Sequence, residues 1–424
     1  MWFLSGAAMG KGGIFSARVH PRIKQILRGA KQEAGLRREG ITRFNKRWRS
    51  WAIRTVRKHN LPTPVVLTSD PHLMDAEYLA TCMQRAATTG VKDIELWRGY
   101  GKRFTRITHE IPAQHFGYMV WAIGRVQLPI PSIYAPLVKR AQELVPELTS
   151  SGLMSVLWTL RRGLIKPPTA LLAAIADRVL ADPESIRPAD YIKIVNCFGF
   201  FGFGKHDAAF RDTISEISMK KFEADTFAQD FRAAVDPLAL SNVYNDAARG
   251  YVLDRFRKIF ITARPNHLLS AYHSSVAVRV LAPAAWFSHL TEKTRGFYTS
   301  LAMRHIAAPS RGMSKFHKEV SESLAGPELK LAHRNAFRWG PLWIDIGIED
   351  ETESAVTDDR KSCIVLDKPS SFYANEKTTL TEKSKLEDSI LSQVGWKVKH
   401  VNHYAWSKCR TPESRIALLK SVLV

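Results

Sequence analysis

The sequence predicts a mainly α-helical chain of 424 residues, in which an array of helical hairpins precedes one small α/β domain. Three observations support this fold class. One apolar pattern recurs about every 37 residues, prolines precede the helices between its copies, and short apolar strands replace the helical pattern after Gly340. We therefore expect a basic segment at 1–60, an α-solenoid at 61–335 and the α/β domain at 336–424.

The recurring pattern places apolar residues at i, i+3, i+4 and i+7, which form one face of a helix. Its central copy is Leu153, Val156, Leu157 and Leu160. Four further copies begin at Leu79, Phe116, Tyr191 and Phe227, the last with Asp230 in an apolar slot, and a possible sixth begins at Leu269. A hairpin of this size cannot bury its own apolar face, so neighbouring hairpins are expected to stack into a solenoid.

The second helix of two hairpins is marked by prolines, which are tolerated in the first turn of a helix but not in its interior. Pro129 and Pro131 precede a predicted helix at 133–145. Pro167 and Pro168 precede another at 169–180. These positions predict where each second helix begins.

The charge of the chain predicts a polyanionic partner. Lys and Arg number 62 against 40 Asp and Glu, giving a formal net charge of +22, which favours nucleic acid or an anionic membrane surface. No apolar run approaches the roughly 20 residues that a membrane span needs, so nucleic acid is the preferred partner. The four cysteines, Cys82, Cys197, Cys363 and Cys409, lack metal-ligand spacing. We expect them to be buried free thiols, and we expect no cofactor and no metal.

The first 60 residues carry much of the positive charge, with 15 basic and two acidic side chains. Such an Arg-rich, acid-poor start is typical of a mitochondrial or plastid transit segment. It is equally typical of a basic arm that lies along RNA, and the two interpretations do not exclude each other. The candidate RNA contacts in this segment are Arg43, Lys46, Arg47 and Arg49.

Two repeat copies carry an aromatic residue and a cation at matching positions. Trp121 and Trp158 share one register, and Arg125 and Arg162 share another, one helical turn later. This arrangement suits a single strand of nucleic acid, because every base offers a face for stacking and every phosphate a negative charge. Alternatively, both tryptophans pack between hairpins and both arginines are simply solvated. The next copy has Asn196 and Phe200 at these positions, which argues against a code of one base per repeat.

One stretch resembles part of a phosphate-binding loop. Residues 199–205, GFFGFGK, fit its glycine and lysine spacing, but His206 stands where the loop needs a Ser or Thr hydroxyl for magnesium. Three phenylalanines would also crowd the phosphates. We interpret the stretch as the end of a repeat helix and the turn that follows it.

The last 80 residues predict strand, strand, helix, strand and helix, in that order. The strands are expected at 343–348, 363–366 and 396–401, with an acidic loop at 349–361 after the first. The helices are expected at 381–394 and 412–423, and Gly395 follows the first of them where a helix end favours left-handed geometry.

Both halves of the chain resemble known RNA-binding modules. The helical repeats resemble pentatricopeptide, octotricopeptide and, closest in period, heptatricopeptide arrays. The C-terminal region resembles a RAP domain, through Trp343, Asp345 and Ile346, then IVLDKPSSF at 364–372, LEDSILSQVGWKV at 386–398 and HYAW at 403–406. This resemblance implies a fold like the restriction-endonuclease core and a role in organellar RNA binding.

The same resemblance raises the question of nuclease activity. Asp345 lies where that core would place its first metal-binding Asp, but Val365 stands where family members often carry a second acid, beside Asp367. We therefore expect no catalysis and no metal. Lys368, Lys397, Lys399 and Arg410 are the residues of this domain expected to contact RNA phosphates.

The function predicted from sequence is therefore that of a non-catalytic mitochondrial RNA-binding protein. RAP proteins act in transcript processing or stability, and in some lineages they are parts of the mitochondrial ribosome. The short array favours the ribosomal role, with ribosomal RNA and ribosomal proteins as partners and no membrane contact. The alternatives are a transcript processing factor, an RNA endonuclease acting through Asp345 and Asp367, and a scaffold for proteins.

Overall fold

The computed structural model describes residues 71–127, 130–224, 231–260, 263–303, 312–348 and 361–423. The basic segment with Arg43, Lys46, Arg47 and Arg49 lies outside these residues, as does the acidic loop apart from Lys361. The chain divides into two units. The first comprises Met1–Ile111 and Leu128–Ile133, and the second comprises Pro112–Gln127 and Tyr134–Val424.

Two helices that pack on each other form the described core of the first unit, α1 (Ala76–Thr88) and α2 (Ile94–Ile107). Each begins at an aspartate, Asp75 or Asp93, whose carboxylate accepts hydrogen bonds from backbone amides of the first turn. The repeat copy that begins at Leu79 lies on α1, and all four of its apolar residues are buried, as predicted.

The second unit begins with a run of helices. They are α3 (Ala113–Val126), α4 (Tyr134–Leu144), α5 (Ser150–Arg162), α6 (Thr169–Ala181), α7 (Pro188–Phe201), α8 (Ala208–Ala224), α9 (Pro237–Asn242), α10 (Asp246–Ile259), α11 (Pro265–Leu281), α12 (Pro283–Ser288), α13 (Glu292–Met303) and α14 (Lys315–Ala325). Helices α3, α5, α7, α9 and α11 pack in succession, each against the next, and we call them the first layer. Helix α4 packs on α6, and α8 on α10. The predicted second helices at 133–145 and 169–180 correspond to α4 and α6.

Small residues bring the first-layer helices close together. A Cβ atom on Gly117 of α3 would lie 3.3 Å from the Cα of Gly152 on α5. The hydroxyl of Thr159 on α5 donates a 2.8 Å hydrogen bond to the carbonyl of Val120 on α3, which is possible only at short range. The backbones of neighbouring helices therefore set the geometry of this layer.

The repeat pattern predicts the earlier helices of the first layer better than the later ones. All four apolar positions of the copies that begin at Phe116, Leu153 and Tyr191 are buried. In the fifth copy, Phe227 and Asp230 lie outside the described residues, whereas Phe231 and Ala234 are buried, as predicted. The first-layer helix that follows α7 is nevertheless α9, which begins after this copy. The sixth has the wrong register, because the buried positions of α11 include Ala271 and Val278 rather than Leu269.

The C-terminal region of the second unit is an α/β fold. Its strands are β1 (His333–Trp339), β2 (Leu342–Ile348), β3 (Ser362–Asp367), β4 (Phe372–Tyr373), β5 (Glu376–Leu380) and β6 (Lys397–Asn402), and its helices are α15 (Glu382–Gln393), α16 (His403–Lys408) and α17 (Pro412–Leu423). The main sheet has the order β1-β2-β3-β6, with antiparallel pairs except for the parallel pair β3 and β6. Strands β4 and β5 form a separate hairpin.

One face of this sheet carries the hydrophobic core of the α/β region. Ile346, Ile364, Leu366 and Val401 pack there against α14, α16 and α17. The core thus extends upstream of residue 336, the start expected from the sequence, because α14 contributes Phe316, Val320 and Leu324. The five predicted elements correspond to β2, β3, α15, β6 and α17, and Gly395 has the expected positive φ of +93°. Among the helices that the structure describes, none has both the length and the apolar composition of a membrane-spanning segment.

Candidate nucleic-acid interface

The predicted aromatic and basic side chains of α3 and α5 lie on one surface. Trp121 and Arg125 are on α3, while Trp158 and Arg162 are on α5, which packs against it. Tyr118, which was not predicted from the sequence, lies one turn before Trp121 and two turns before Arg125, and it is 44% exposed. Its signal was the spacing i, i+3 and i+7, which places the three residues on one helix face. We call these five residues the α3–α5 surface.

Trp158 and Arg162 form the best-defined part of the α3–α5 surface. The six-membered ring of Trp158 lies against Gly124 of α3, so close that a Cβ atom there would lie 2.8 Å from it. Trp158 therefore packs between helices, as the alternative interpretation held, yet it stays partly exposed. The guanidinium of Arg162 lies 5.0 Å from the centre of the Trp158 ring system. Such stacking holds a cation in place without neutralising it.

The two arginines are close enough to influence each other. Burial lowers the pKa of Arg162, and the positive charge of Arg125 lowers this pKa further. In the part of the chain that the structure describes, neither guanidinium makes an ion pair with a carboxylate. Because the two positive charges repel each other, binding of an anion between them would be favourable. The α3–α5 surface is thus a cationic site with aromatic rings beside it.

The third repeat copy does not continue the α3–α5 surface. Asn196 and Phe200 of α7 occupy the equivalent positions, and both are buried. The guanidinium of Arg161 lies 5.0 Å from the Phe200 ring and forms a 2.9 Å ion pair with Asp236. The carbonyl of Phe200 accepts a 3.1 Å hydrogen bond from the hydroxyl of Tyr373. The surface therefore ends where the α/β region covers α7.

The segment 199–205, which resembles a phosphate-binding loop, forms part of this contact. Helix α7 ends at Phe201, and Gly202 has a positive φ of +67°, so the segment is a helix end and a turn, as predicted. The Phe201 ring stacks on Tyr373 at 6.3 Å, and the Lys205 ammonium lies 3.5 Å from the Glu382 carboxylate. The segment therefore binds the α/β region.

A second contact joins the same two parts of the unit. Asn375, in the turn of the β4–β5 hairpin, accepts a hydrogen bond from the backbone amide of Lys166 and donates another to its carbonyl, at 2.8 and 2.9 Å. The amide of Ala374 donates to the carbonyl of Leu164 at 2.7 Å. The ammonium of Lys166 also pairs with Glu376 at 2.9 Å. The hairpin is thereby fixed to the turn after α5.

The four predicted cations of the α/β region do not form one group. Lys368 follows β3 and lies 3.1 Å from the Asp345 carboxylate, whereas Lys397 stands at the start of β6, at the other end of the β3–β6 pair. The ammonium of Lys399 donates to the carbonyl of Leu423. Lys397 and Arg410 are exposed. Of the four, Lys368 and Lys399 thus already have partners within the chain.

The carboxylates on the other face of the sheet are also engaged. Asp345 accepts a 3.1 Å hydrogen bond from the amide of Leu366, in addition to its ion pair with Lys368. Buried Asp367 lies 3.2 Å from Nδ1 of His400, and Nε2 of the same ring lies 3.6 Å from Asp388. Within the described ranges, no three His, Cys, Asp or Glu residues are arranged to hold a metal ion.

The pKa values of His400 and Asp388, whose side chains lie next to each other, are both raised. A hydrogen bond to the Asp367 carboxylate raises the pKa of His400. Burial raises the pKa of Asp388 to about 6, although the neighbouring His400 opposes this rise. Burial also raises the pKa of the Cys363 thiol to about 12, so this cysteine is an unreactive thiol. The four cysteines are free, and all but the half-buried Cys409 are buried.

The protein thus combines stacked helices, the cationic α3–α5 surface and a small α/β domain. This combination is that of a basic protein suited to binding nucleic acid. Comparison with family models assigns the α/β part, since the RAP domain model matches residues 364–422. The RAP domain indicates RNA binding in general. A search of curated proteins finds none that matches this chain.

Proposed function

We propose that this chain is a non-catalytic RNA-binding protein that holds single-stranded RNA on the α3–α5 surface. The observation that carries the proposal is the stack of Arg162 on Trp158 beside Arg125. Among the residues that the structure describes, no carboxylate is paired with either guanidinium. A phosphate between the arginines would relieve their repulsion. Tyr118 and Trp121 offer neighbouring rings to the bases, which stack on aromatic side chains without regard to sequence.

The proposal is tested by replacing both arginines. The change Arg125→Ala with Arg162→Ala should weaken binding of a single-stranded RNA about tenfold at low salt, and should lower the slope of log K against log salt by about 1.4. Titration of a fluorescent oligonucleotide at several salt concentrations measures both quantities. Stability should change by less than about 0.5 kcal/mol per exposed site.

A matched control removes the same amount of charge elsewhere. Lys139 of α4 and Lys220 of α8 are exposed and lie on helices outside the first layer. Their double replacement by alanine should leave the affinity and the salt slope nearly unchanged. If the control and the arginine variant lost affinity equally, the RNA would be responding to net charge and the α3–α5 surface would not be the binding site.

The absence of catalysis is part of the proposal. It is supported by the partners of the two acids on which a nuclease would depend, because Asp345 is paired with Lys368 and Asp367 with His400. We expect no cleavage of RNA by the pure protein in magnesium or manganese. Metal-dependent cleavage that disappears in Asp345→Asn would establish the rival function, an RNA endonuclease.

We further propose that the RNA is mitochondrial ribosomal RNA. The support is the uneven charge, since residues 1–60 carry a net +13 and residues 341–424 a net −1. A ribosomal protein needs both, because charged faces meet RNA and near-neutral faces meet other proteins. The chain should therefore sediment with a mitochondrial ribosomal subunit at moderate salt in a gradient of lysed organelles. Recovery in light fractions with messenger RNA would instead support the alternative role in transcript processing.

A further inference from the structure

A second group of cations and aromatic rings lies where α11 meets β1 and β2. Tyr272 of α11 reaches the turn between the strands, where a Cβ atom on Gly340 would lie 3.3 Å from its hydroxyl oxygen. Arg338 of β1 lies 5.5 Å from the Trp343 ring of β2, directly opposite it in the sheet. Tyr272, Arg338 and Trp343 are half-buried, so each offers part of its surface to solvent. We call these three residues with Arg279 the α11–β1 surface.

Arg279 adds a further positive charge to this surface. It lies seven residues after Tyr272 on α11, hence on the same face of the helix, and it is exposed. Burial raises the pKa of Tyr272, and the charges of Arg338 and Arg279 oppose this rise, so both guanidinium groups lie near its hydroxyl. Neither α11 nor β1 contains an acidic residue.

The same strand carries another cation over a ring. The guanidinium of Arg334 lies 4.8 Å from the Phe337 ring. That ring crosses β2 at Gly347, where a Cβ atom would lie 2.6 Å from it, so a larger residue there would have to displace the ring. Strand β1 therefore carries two arginines stacked on rings, and it is an edge of the main sheet.

We infer that the α11–β1 surface is a second binding site for single-stranded RNA, in which bases stack on Tyr272 and Trp343 and phosphates bind Arg279 and Arg338. The inference rests on the proposed function, because it takes RNA as the partner. Cations that alternate with accessible rings match a strand in which phosphates alternate with bases.

An acidic peptide is the competing occupant, and the backbone of β1 argues against it. A peptide that adds to a sheet edge needs a regular extended strand as its template. Ala336, in the middle of β1, has a positive φ of +47°, which interrupts the extended conformation. An acidic peptide would also leave the aromatic rings without a function. The geometry thus favours RNA over strand addition.

The test uses two variants of the full chain and one control. Trp343→Leu keeps an apolar side chain but removes the stacking ring, and should weaken RNA binding about 5-fold to 100-fold. Arg279→Glu changes an exposed charge and should weaken binding about tenfold and lower the salt slope. Lys139→Glu on α4 reverses the same charge outside this surface and should have little effect. Thermal unfolding of each variant checks that Trp343→Leu still folds.

The outcomes separate this inference from the proposed function. Normal RNA binding by Arg279→Glu and by folded Trp343→Leu overturns the α11–β1 site, whatever the α3–α5 variants do. Weak binding by these two, together with normal binding by the Arg125 and Arg162 double variant, supports this site and contradicts the first. If oligoglutamate competes with RNA at equal charge and Trp343→Leu binds normally, the surface is an acidic-peptide site and the inference fails.

Discussion

Replacement of Gly199 by alanine should loosen the first layer where it supports the RAP domain. Gly199 lies on α7 where α9 crosses it, and an added Cβ would lie 2.6 Å from the backbone nitrogen of Ala239 and 2.7 Å from its Cα. The obstacle is backbone, so α9 would have to move by several tenths of an ångström. Forcing a methyl into such a contact costs about 1–3 kcal/mol. The hydrogen bond from Asn242 to the Gly199 carbonyl, at 2.9 Å, would be strained as well, at about 1 kcal/mol.

One favourable effect opposes these costs. Alanine is a better helix former than glycine by about 1 kcal/mol, so the net loss in the free energy of unfolding should be about 1–3 kcal/mol. Gly296 on α13 supplies the control, because nothing lies within 4 Å of its added Cβ. There the helix preference acts alone, and Gly296→Ala should stabilise the protein by up to about 1 kcal/mol.

Chemical denaturation of the two variants beside the natural chain measures both effects. Opposite signs are expected, with Gly199→Ala unfolding at lower denaturant and Gly296→Ala at equal or higher denaturant. If Gly199→Ala were as stable as the natural chain, the close approach of α7 and α9 would not exist in solution, and our account of the first layer would be refuted.

Three further predictions concern the hydroxyl of Tyr373, the raised pKa of Asp388 and the positive charge of residues 1–60. Tyr373→Phe removes the hydroxyl that binds the Phe200 carbonyl and should cost about 1–3 kcal/mol in thermal or chemical unfolding, because it leaves a buried acceptor unpaired; no loss would mean that the contact does not form. Because the pKa of Asp388 is raised, its contribution to stability is greatest below the ordinary aspartate pKa and is lost as the pH rises to about 6. The pKa of His400 is raised too, so its contribution is lost as the pH rises through the folded-state pKa. The change Asp388→Asn should remove the lower part of this fall when unfolding is measured from pH 4 to 8. Deletion of residues 1–60, which carry a net +13, should make the salt dependence of RNA binding less steep, and an unchanged slope would exclude the segment as a phosphate contact.

The parts of the fold that follow local rules were predictable from the sequence. The helix faces at Phe116, Leu153 and Tyr191 obey the 3.6-residue period, and Gly395 marks a helix end by its conformational freedom. The pattern did not predict α9, since a helix of six residues is too short to show a period. Strand β1 was missed because its residues are almost all half-buried and lack the alternation by which a strand is recognised.

The candidate site also has a part that was predictable from the sequence and a part that was not. Trp121, Trp158, Arg125 and Arg162 could be placed on one surface because equal register on stacked helices implies proximity. The group of Asp367, Asp388 and His400 could not be found, because it depends on which strands pair and on where α15 lies over them. The α11–β1 surface was hidden for the same reason, since it joins residues from two elements of different type.

The hydrogen bonds between Lys166 and Asn375 join residues 209 positions apart in the sequence. During synthesis the helices of the first layer can therefore form long before the hairpin that covers the end of α7 has been made. Until then the rings of Phe200 and Phe201 lack the tyrosine on which they pack. Closure of so long a loop is intrinsically slow, so completion of the second unit is a late step in folding. A chain that stopped before β4 would keep these aromatic rings uncovered and would be prone to aggregate.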